Sequence, residues 1–146
     1  MIWWPKLTPI EGWHQDREAS LFYGVNALVA DGLTFKNADS VMYARASYKP
    51  RSPEIKSLEA LIESDRKDFE ANVPGVSIQE VAPLSTIDGQ KFRSFTFFLT
   101  TGGNWERVSY GEEGEFYLIF TASSRSRSDF DAVVSTYENL VVSYKK

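Results

Sequence analysis

Cysteine is absent from all 146 residues, which removes disulfides, thiol nucleophiles and thiolate zinc sites. Histidine occurs once, so a hydrolytic triad would have to use His14 as its base. No stretch free of charged residues exceeds 12 positions, short of the roughly 20 a membrane-spanning helix needs. Positive charge is not in surplus either. Sixteen Lys and Arg face 20 Asp and Glu, a net charge of −4 and a pI near 5.1, which argues against nucleic acid as a partner. The opening Met1-Ile2-Trp3-Trp4-Pro5 has neither the basic leader nor the apolar core of a signal peptide. An absence of cysteine fits a reducing cytoplasm and an exported bacterial chain alike. Two readings therefore stay open: a cytoplasmic protein, or an exported one whose signal has been removed.

What is present is the composition of a soluble globular chain. Hydrophobic residues make up 42% and aromatics 14%, enough to bury a core of roughly 70% of the unfolded surface without a metal. The expected organisation is an N-terminal arm over 1–12, its tryptophan rings docked on the body, followed by one domain over 13–146. Near the C-terminus Phe130, Val133, Val134, Tyr137, Leu140, Val141 and Tyr144 recur at helical spacing and form one apolar stripe. Ser128 with Asp131 resembles a capping box at its start. A second helix is expected from Ser52-Pro53-Glu54, where Ser52 can cap and Pro53 suits the first turn. Ile55, Leu58, Leu61, Ile62 and Phe69 supply its inner face, and Pro74-Gly75 ends it.

The pattern between the helices is that of strands. Val25 to Ala30, Val41 to Tyr48, Val76 to Val81, Phe92 to Thr101, Arg107 to Tyr110 and the apolar run Phe116 to Phe120 are separated by turn residues. Gly102-Gly103-Asn104 and Glu112-Glu113-Gly114 read as hairpin turns. An unbroken apolar run suits a central strand covered on both faces. The expected fold class is α+β, a three-layer α/β/α sandwich with a mostly antiparallel sheet. The competing arrangement is two-layered, with both helices on one side.

Particular residues also resemble a known group. Gly24-Val25-Asn26-Ala27, Asp31-Gly32, Val41-Met42-Tyr43-Ala44-Arg45, Ser64-Asp65, Val108-Ser109-Tyr110 and Phe120-Thr121-Ala122-Ser123-Ser124 follow one another in the order of the PsbP-like fold. That fold is shared by the photosystem II extrinsic protein and a small Ran-binding import factor. Within it the chain is similar to small, usually exported bacterial proteins of unknown function. The likeness runs from about Gly12 to Tyr144 and rests on structural motifs. It implies the sandwich and an accessory role, and it carries over no metal or partner residue.

Several constellations have both a chemical and a structural reading. His14 lies in Gly12-Trp13-His14-Gln15-Asp16 with no nucleophile elbow anywhere in the chain, so a surface imidazole is expected. Glu112, Glu113 and Glu115 concentrate negative charge at a turn without the spacing of a calcium loop; a solvated turn that guards the hairpin edge is the plainer reading. Arg125, Arg127 and Ser128 form the anion-binding candidate, since a helix start, two guanidinium groups and hydroxyls suit a phosphate or carboxylate. The plainer reading is a polar loop with Ser128 as cap. Arg45, Lys49 and Arg51 read as a solvated edge. Trp105, beside the glycine turn, is the aromatic expected to be exposed and the partner-binding candidate; of the many other rings, a set that includes Phe22 and Tyr23, most are expected in the core. Asp65 falls on the apolar face of its helix and needs a partner such as Arg45 or a tyrosine hydroxyl. Tyr43, Arg45 and Asp65 form the cleft candidate.

Neither metal nor cofactor is expected. The composition and the resemblance together point to a non-enzymatic, exported accessory protein that binds a protein or small ligand. The alternatives are a ligand-binding or hydrolytic protein using Tyr43, Arg45 and Asp65, and a cytosolic regulator of a complex.

Overall fold

The apolar run that begins at Phe116 becomes the strand at the middle of the sheet. A computed structural model describes residues 3–146 and forms seven strands: β1 (Trp13–Gln15), β2 (Asn26–Ala30), β3 (Ser40–Tyr48), β4 (Ser77–Ser85), β5 (Lys91–Phe98), β6 (Trp105–Glu113) and β7 (Phe116–Ser124). They make one sheet in the order β1-β2-β3-β7-β6-β5-β4, and every neighbouring pair is antiparallel. Successive side chains of a strand point to opposite faces. Leu118, Phe120 and Ala122 of β7 therefore join one core, while Tyr117 and Ile119 join the other.

Three helices cover these faces: α1 (Arg17–Tyr23), α2 (Leu58–Asn72) and α3 (Arg127–Val142). On one side Val133, Tyr137, Leu140 and Val141 of α3 pack with Met42, Phe92, Leu118 and Phe120. On the other, Leu61 and Ile62 of α2 pack with Phe95, Val108, Tyr110 and Ile119. The helices thus lie on opposite faces, and the sandwich is three-layered. Each fully buried large side chain contributes about 1.5–3 kcal/mol, and two such sets hold the sheet from both sides. Helix α1 shares the α2 face, where Ala19 meets Val25 and Ala27 beside Tyr43.

The helix starts differ from the sequence expectation. Ser52 does not cap α2; it closes a short 3-10 turn over Lys49–Arg51, and Ser57 caps, its side chain accepting from Ala60 N. Ile55 still packs against the α2-side core from the preceding loop. Ser128 does not cap α3 either. Ser126 does, accepting from Asp129 N at 3.1 Å, and Ser128 is exposed in the first turn. β1 and α1 were not expected, because neither is long enough to show a period. Asp16 caps α1: Oδ1 accepts from Ala19 N at 3.0 Å and Oδ2 from Phe35 N at 2.9 Å. These bonds hold its carboxyl below the usual range.

Two turns also shift. Glu112 and Glu113 belong to β6, leaving Gly114-Glu115 as the connection to β7. Gly114 takes φ 57° there, which a two-residue hairpin asks of a glycine at its first central position. β4 runs on past Val81 to Ser85, with a register shift between Val81 and Leu84 around Pro83, as an edge strand tolerates. The arm before β1 lies along the α3 face. Trp3 packs on Phe116 with ring centroids 4.6 Å apart, Asn26 donates to the Pro5 carbonyl at 2.9 Å, and Leu7 and Ile10 pack on the core. Met1 and Ile2 of the expected arm lie outside the described residues.

Candidate functional site

Two of the three cleft candidates, Arg45 and Asp65, make contact, and Tyr43 lies on the same face. Tyr43 and Arg45 are two apart on β3 and so share the α2 face, and Asp65 comes down on them from α2. Asp65 Oδ2 accepts from the Tyr110 hydroxyl at 3.0 Å and lies 3.8 Å from an Arg45 guanidinium nitrogen. Burial raises the Asp65 pKa, and the Arg45 charge and the Tyr110 hydrogen bond act against that rise. Burial, aided by the Glu106 carboxylate, pushes the Tyr43 hydroxyl up to about 12. Both partners foreseen for Asp65, Arg45 and a tyrosine hydroxyl, are therefore engaged.

Several openings lie at the end of the sheet where the β5–β6 hairpin turns. Trp105, Arg125 and Arg127, predicted as separate features, line one cleft of about 360 Å³ there with Phe98 and Ser126. Trp105 is half-buried rather than exposed. Its ring stacks on Phe98 at 4.1 Å and carries the Arg127 guanidinium at 5.3 Å from its centroid. It is a shelf for a cation, worth about 0.5–1 kcal/mol at an exposed position. Arg127 also lies 3.9 Å from Asp131, an exposed pair of small energetic value. Arg125 donates to the Lys36 carbonyl at 3.0 Å. Ser128 is not among the residues lining this cleft.

On the α2 side of the same hairpin a cleft of about 240 Å³ is lined by Phe69, Val73, Phe97, Asn104 and Glu106 among others. Asn104 also lines a smaller one of about 170 Å³ with Phe35, Ser123 and Arg125. The turn is therefore ringed by openings.

The exposed aromatics are elsewhere. Leu21, Phe22 and Tyr23, at the end of α1, are 58%, 80% and 59% exposed, and Leu33 is 39% exposed. Phe22 and Tyr23 are thus surface residues, not core. Tyr23 touches Phe35 at 5.5 Å between centroids, and the next residue, Lys36, is the one held by Arg125. Arg125 thereby joins the segment beside this apolar patch to the loop before α3. Reading the sequence missed the patch because consecutive apolar residues carry no periodic signal.

The other constellations resolve into local contacts. His14 Nδ1 lies 3.2 Å from Asp31 Oδ1 on an exposed stretch, with no serine in its hydrogen-bond set. It also lines a cleft of about 380 Å³ with Trp4, Trp13 and Asn26. The three glutamates do not converge: Glu112 is 3.7 Å from Lys49, Glu113 accepts from Tyr144 at 2.7 Å, and Glu115 from Tyr48 at 3.4 Å. No group of three or more His, Asp or Glu side chains among the described residues is placed to hold a metal ion. No described helix is long and apolar enough to cross a membrane.

No family model and no curated protein matches the chain. Solved structures do. One is a Pseudomonas aeruginosa protein of unknown function, provisionally named a regulator, at TM-score 0.61 and 9% identity over 97% of this chain and 96% of that one. Another is cyanobacterial PsbP (CyanoP) from Synechocystis sp. PCC 6803, at TM-score 0.52 and 12% identity over 94% of this chain and 83% of that one. The fold is PsbP-like. At such identities the likeness concerns the course of the backbone and transfers no residue's role. Arg45, Asp65 and Tyr110 meet in one cluster between α2 and the sheet.

Proposed function

We propose that the protein is a non-enzymatic accessory protein, exported from the cytoplasm, that holds a partner protein on the side running from α1 to the β5–β6 hairpin. One observation carries this reading: three consecutive large apolar side chains, Leu21, Phe22 and Tyr23, are 58–80% exposed. Soluble chains leave such a patch open where it serves contact. Aromatic residues with arginines at the rim are the make-up of an interface. The partner is one that presents an apolar side chain flanked by carboxylates, to match Phe22 and the guanidinium groups of Arg125 and Arg127. Ser128, exposed beside them, is a polar contact at the rim. Trp105 acts by holding Arg127.

The test is affinity capture by the wild-type chain, by Phe22→Asp and by an Arg125→Ala, Arg127→Ala double variant, with cell fractionation alongside. The expected outcome is one captured protein, lost with Phe22→Asp, weakened at least tenfold by the double variant and weakened by salt, from a protein found outside the cytoplasm. Hydrolytic turnover that disappears in His14→Ala, or capture indifferent to Phe22→Asp, overturns the reading. A protein confined to the cytoplasm overturns its exported part and favours a cytosolic regulator. A hydrolytic or ligand cleft at Tyr43, Arg45 and Asp65 draws little support from an Asp65 already tied to Arg45 and Tyr110.

A further inference from the structure

A carboxylate without a cation faces the apolar cleft beside the C-terminal end of α2. Glu106 stands on β6 between Phe97 of β5 and Ser123 of β7. It is half-buried, and its hydrogen bond is from Ser123 Oγ to Oε2 at 2.7 Å. Of the other half-buried carboxylates, Asp65 and Glu138 have Arg45 and Arg107, whereas Asp16, Glu113 and Asp129 are held by backbone or hydroxyl donors. Among the described residues no Lys or Arg lies within 4.0 Å of Glu106. Burial raises its pKa, and the Ser123 bond only partly offsets this. A carboxylate so placed is costly until a cation replaces the water it has lost.

The cleft beside it has the complementary character. Phe69 lies nearly flat on Phe97, with centroids 4.2 Å apart and planes at 16°. Val73 and Val76 extend this apolar wall, Asn104 supplies an amide, and the space is about 240 Å³. That is room for about eight waters' share of liquid, smaller than a drug-sized pocket.

We propose that this cleft binds a small primary amine with an aryl or short alkyl body, its ammonium paired with Glu106 and its body against Phe69 and Phe97. The apolar wall selects the body and the lone carboxylate selects the charge. Phe22, Arg125 and Arg127, the side chains that test the partner surface, do not line this cleft, so either proposal can fail without the other.

The probe is 2-phenylethylamine, titrated by calorimetry and by amide chemical shifts. 3-Phenylpropionate has a similar body with the opposite charge, and 2-phenylethanol has none. Saturable binding of the amine in the millimolar range or tighter is expected, with shifts centred on Phe97, Asn104 and Glu106. Glu106→Gln, which keeps the acceptor for Ser123, should weaken it at least tenfold. Val73→Trp, which fills the cleft and leaves the carboxylate, should do the same. Both carboxylate and alcohol should bind at least tenfold more weakly than the amine. No saturable amine binding, equal binding by folded Glu106→Gln, or a preference for the propionate overturns the proposal. Should Glu106→Gln fail to fold, equal binding by Val73→Trp overturns it instead.

Discussion

Tyr137 is fully buried on α3, and its hydroxyl reaches the sheet, 2.8 Å from both Ser109 Oγ and the Phe120 carbonyl. Ser109 continues to Ser94 at 2.7 Å. A polar thread in an apolar core is tolerated because each member has a partner. The same core shows why one strand position must be glycine. A Cβ added to Gly111 would come within 2.6 Å of the Phe92 ring, itself completely buried. Gly111→Ala is therefore expected to cost about 1–3 kcal/mol, read as a lower urea midpoint. Glu106 behaves oppositely. Its folded pKa lies above the unfolded value, so the fold disfavours its charged form. Wild-type stability should fall as pH rises from the ordinary glutamate range through the raised value, and be unaffected by this group below both. Glu106→Gln should thus be the more stable protein at about pH 8, the gap closing towards about pH 4; urea denaturation at each pH checks this. A gap that persists unchanged in acid would show that charge is not the cause.

Single helices show what local sequence can and cannot specify. The stripe read along α3 is borne out: Phe130, Val133, Tyr137, Leu140 and Val141 are all buried. Its start is not where the capping pattern suggested. Ser124, Ser126 and Ser128 alternate through the approach to α3, and each offers a hydroxyl. The choice falls on Ser126 once Arg125 N donates to the Asp39 carbonyl at 2.9 Å, which fixes where the chain leaves the sheet. Ser126→Ala should lower stability by about 1 kcal/mol, while Ser128→Ala should stay within about 0.5 kcal/mol. The same contrast is expected for Ser57 against Ser52, whose neighbour Pro53 made it resemble a cap. Equal losses from Ser126 and Ser128 in thermal melts would restore the earlier placement. α1 was beyond reach, since seven residues with adjacent apolar side chains give no period to read.

At the scale of the whole molecule, the end of α1 is where three consecutive large apolar side chains stand exposed. Phe22 is 80% exposed and belongs to neither main core, so Phe22→Asp should leave the melting temperature nearly unchanged while removing the partner. The PsbP-like frame assembles the rest. It brings Trp105 and Arg127, 22 positions apart in the sequence, into one cleft, and hangs Glu106 beside a phenylalanine stack. Neither grouping has a local signal, because strand register across β5, β6 and β7 creates both.

The sequence alone determined the helical stripes and the doubly apolar β7, since hydrophobic period is a local property. The tertiary structure then decided for helices on opposite faces over both on one. The sequence also determined that Asp65 must be tied, and to which kinds of group, because a carboxylate on an apolar stripe cannot go unpaired. Only tertiary structure decided which serine caps, that Trp105 is covered while Phe22 is bare, and that Glu106 lacks a cation. Those depend on which distant segments are brought within a few ångströms, and register and packing set such distances long after the local pattern has been spent.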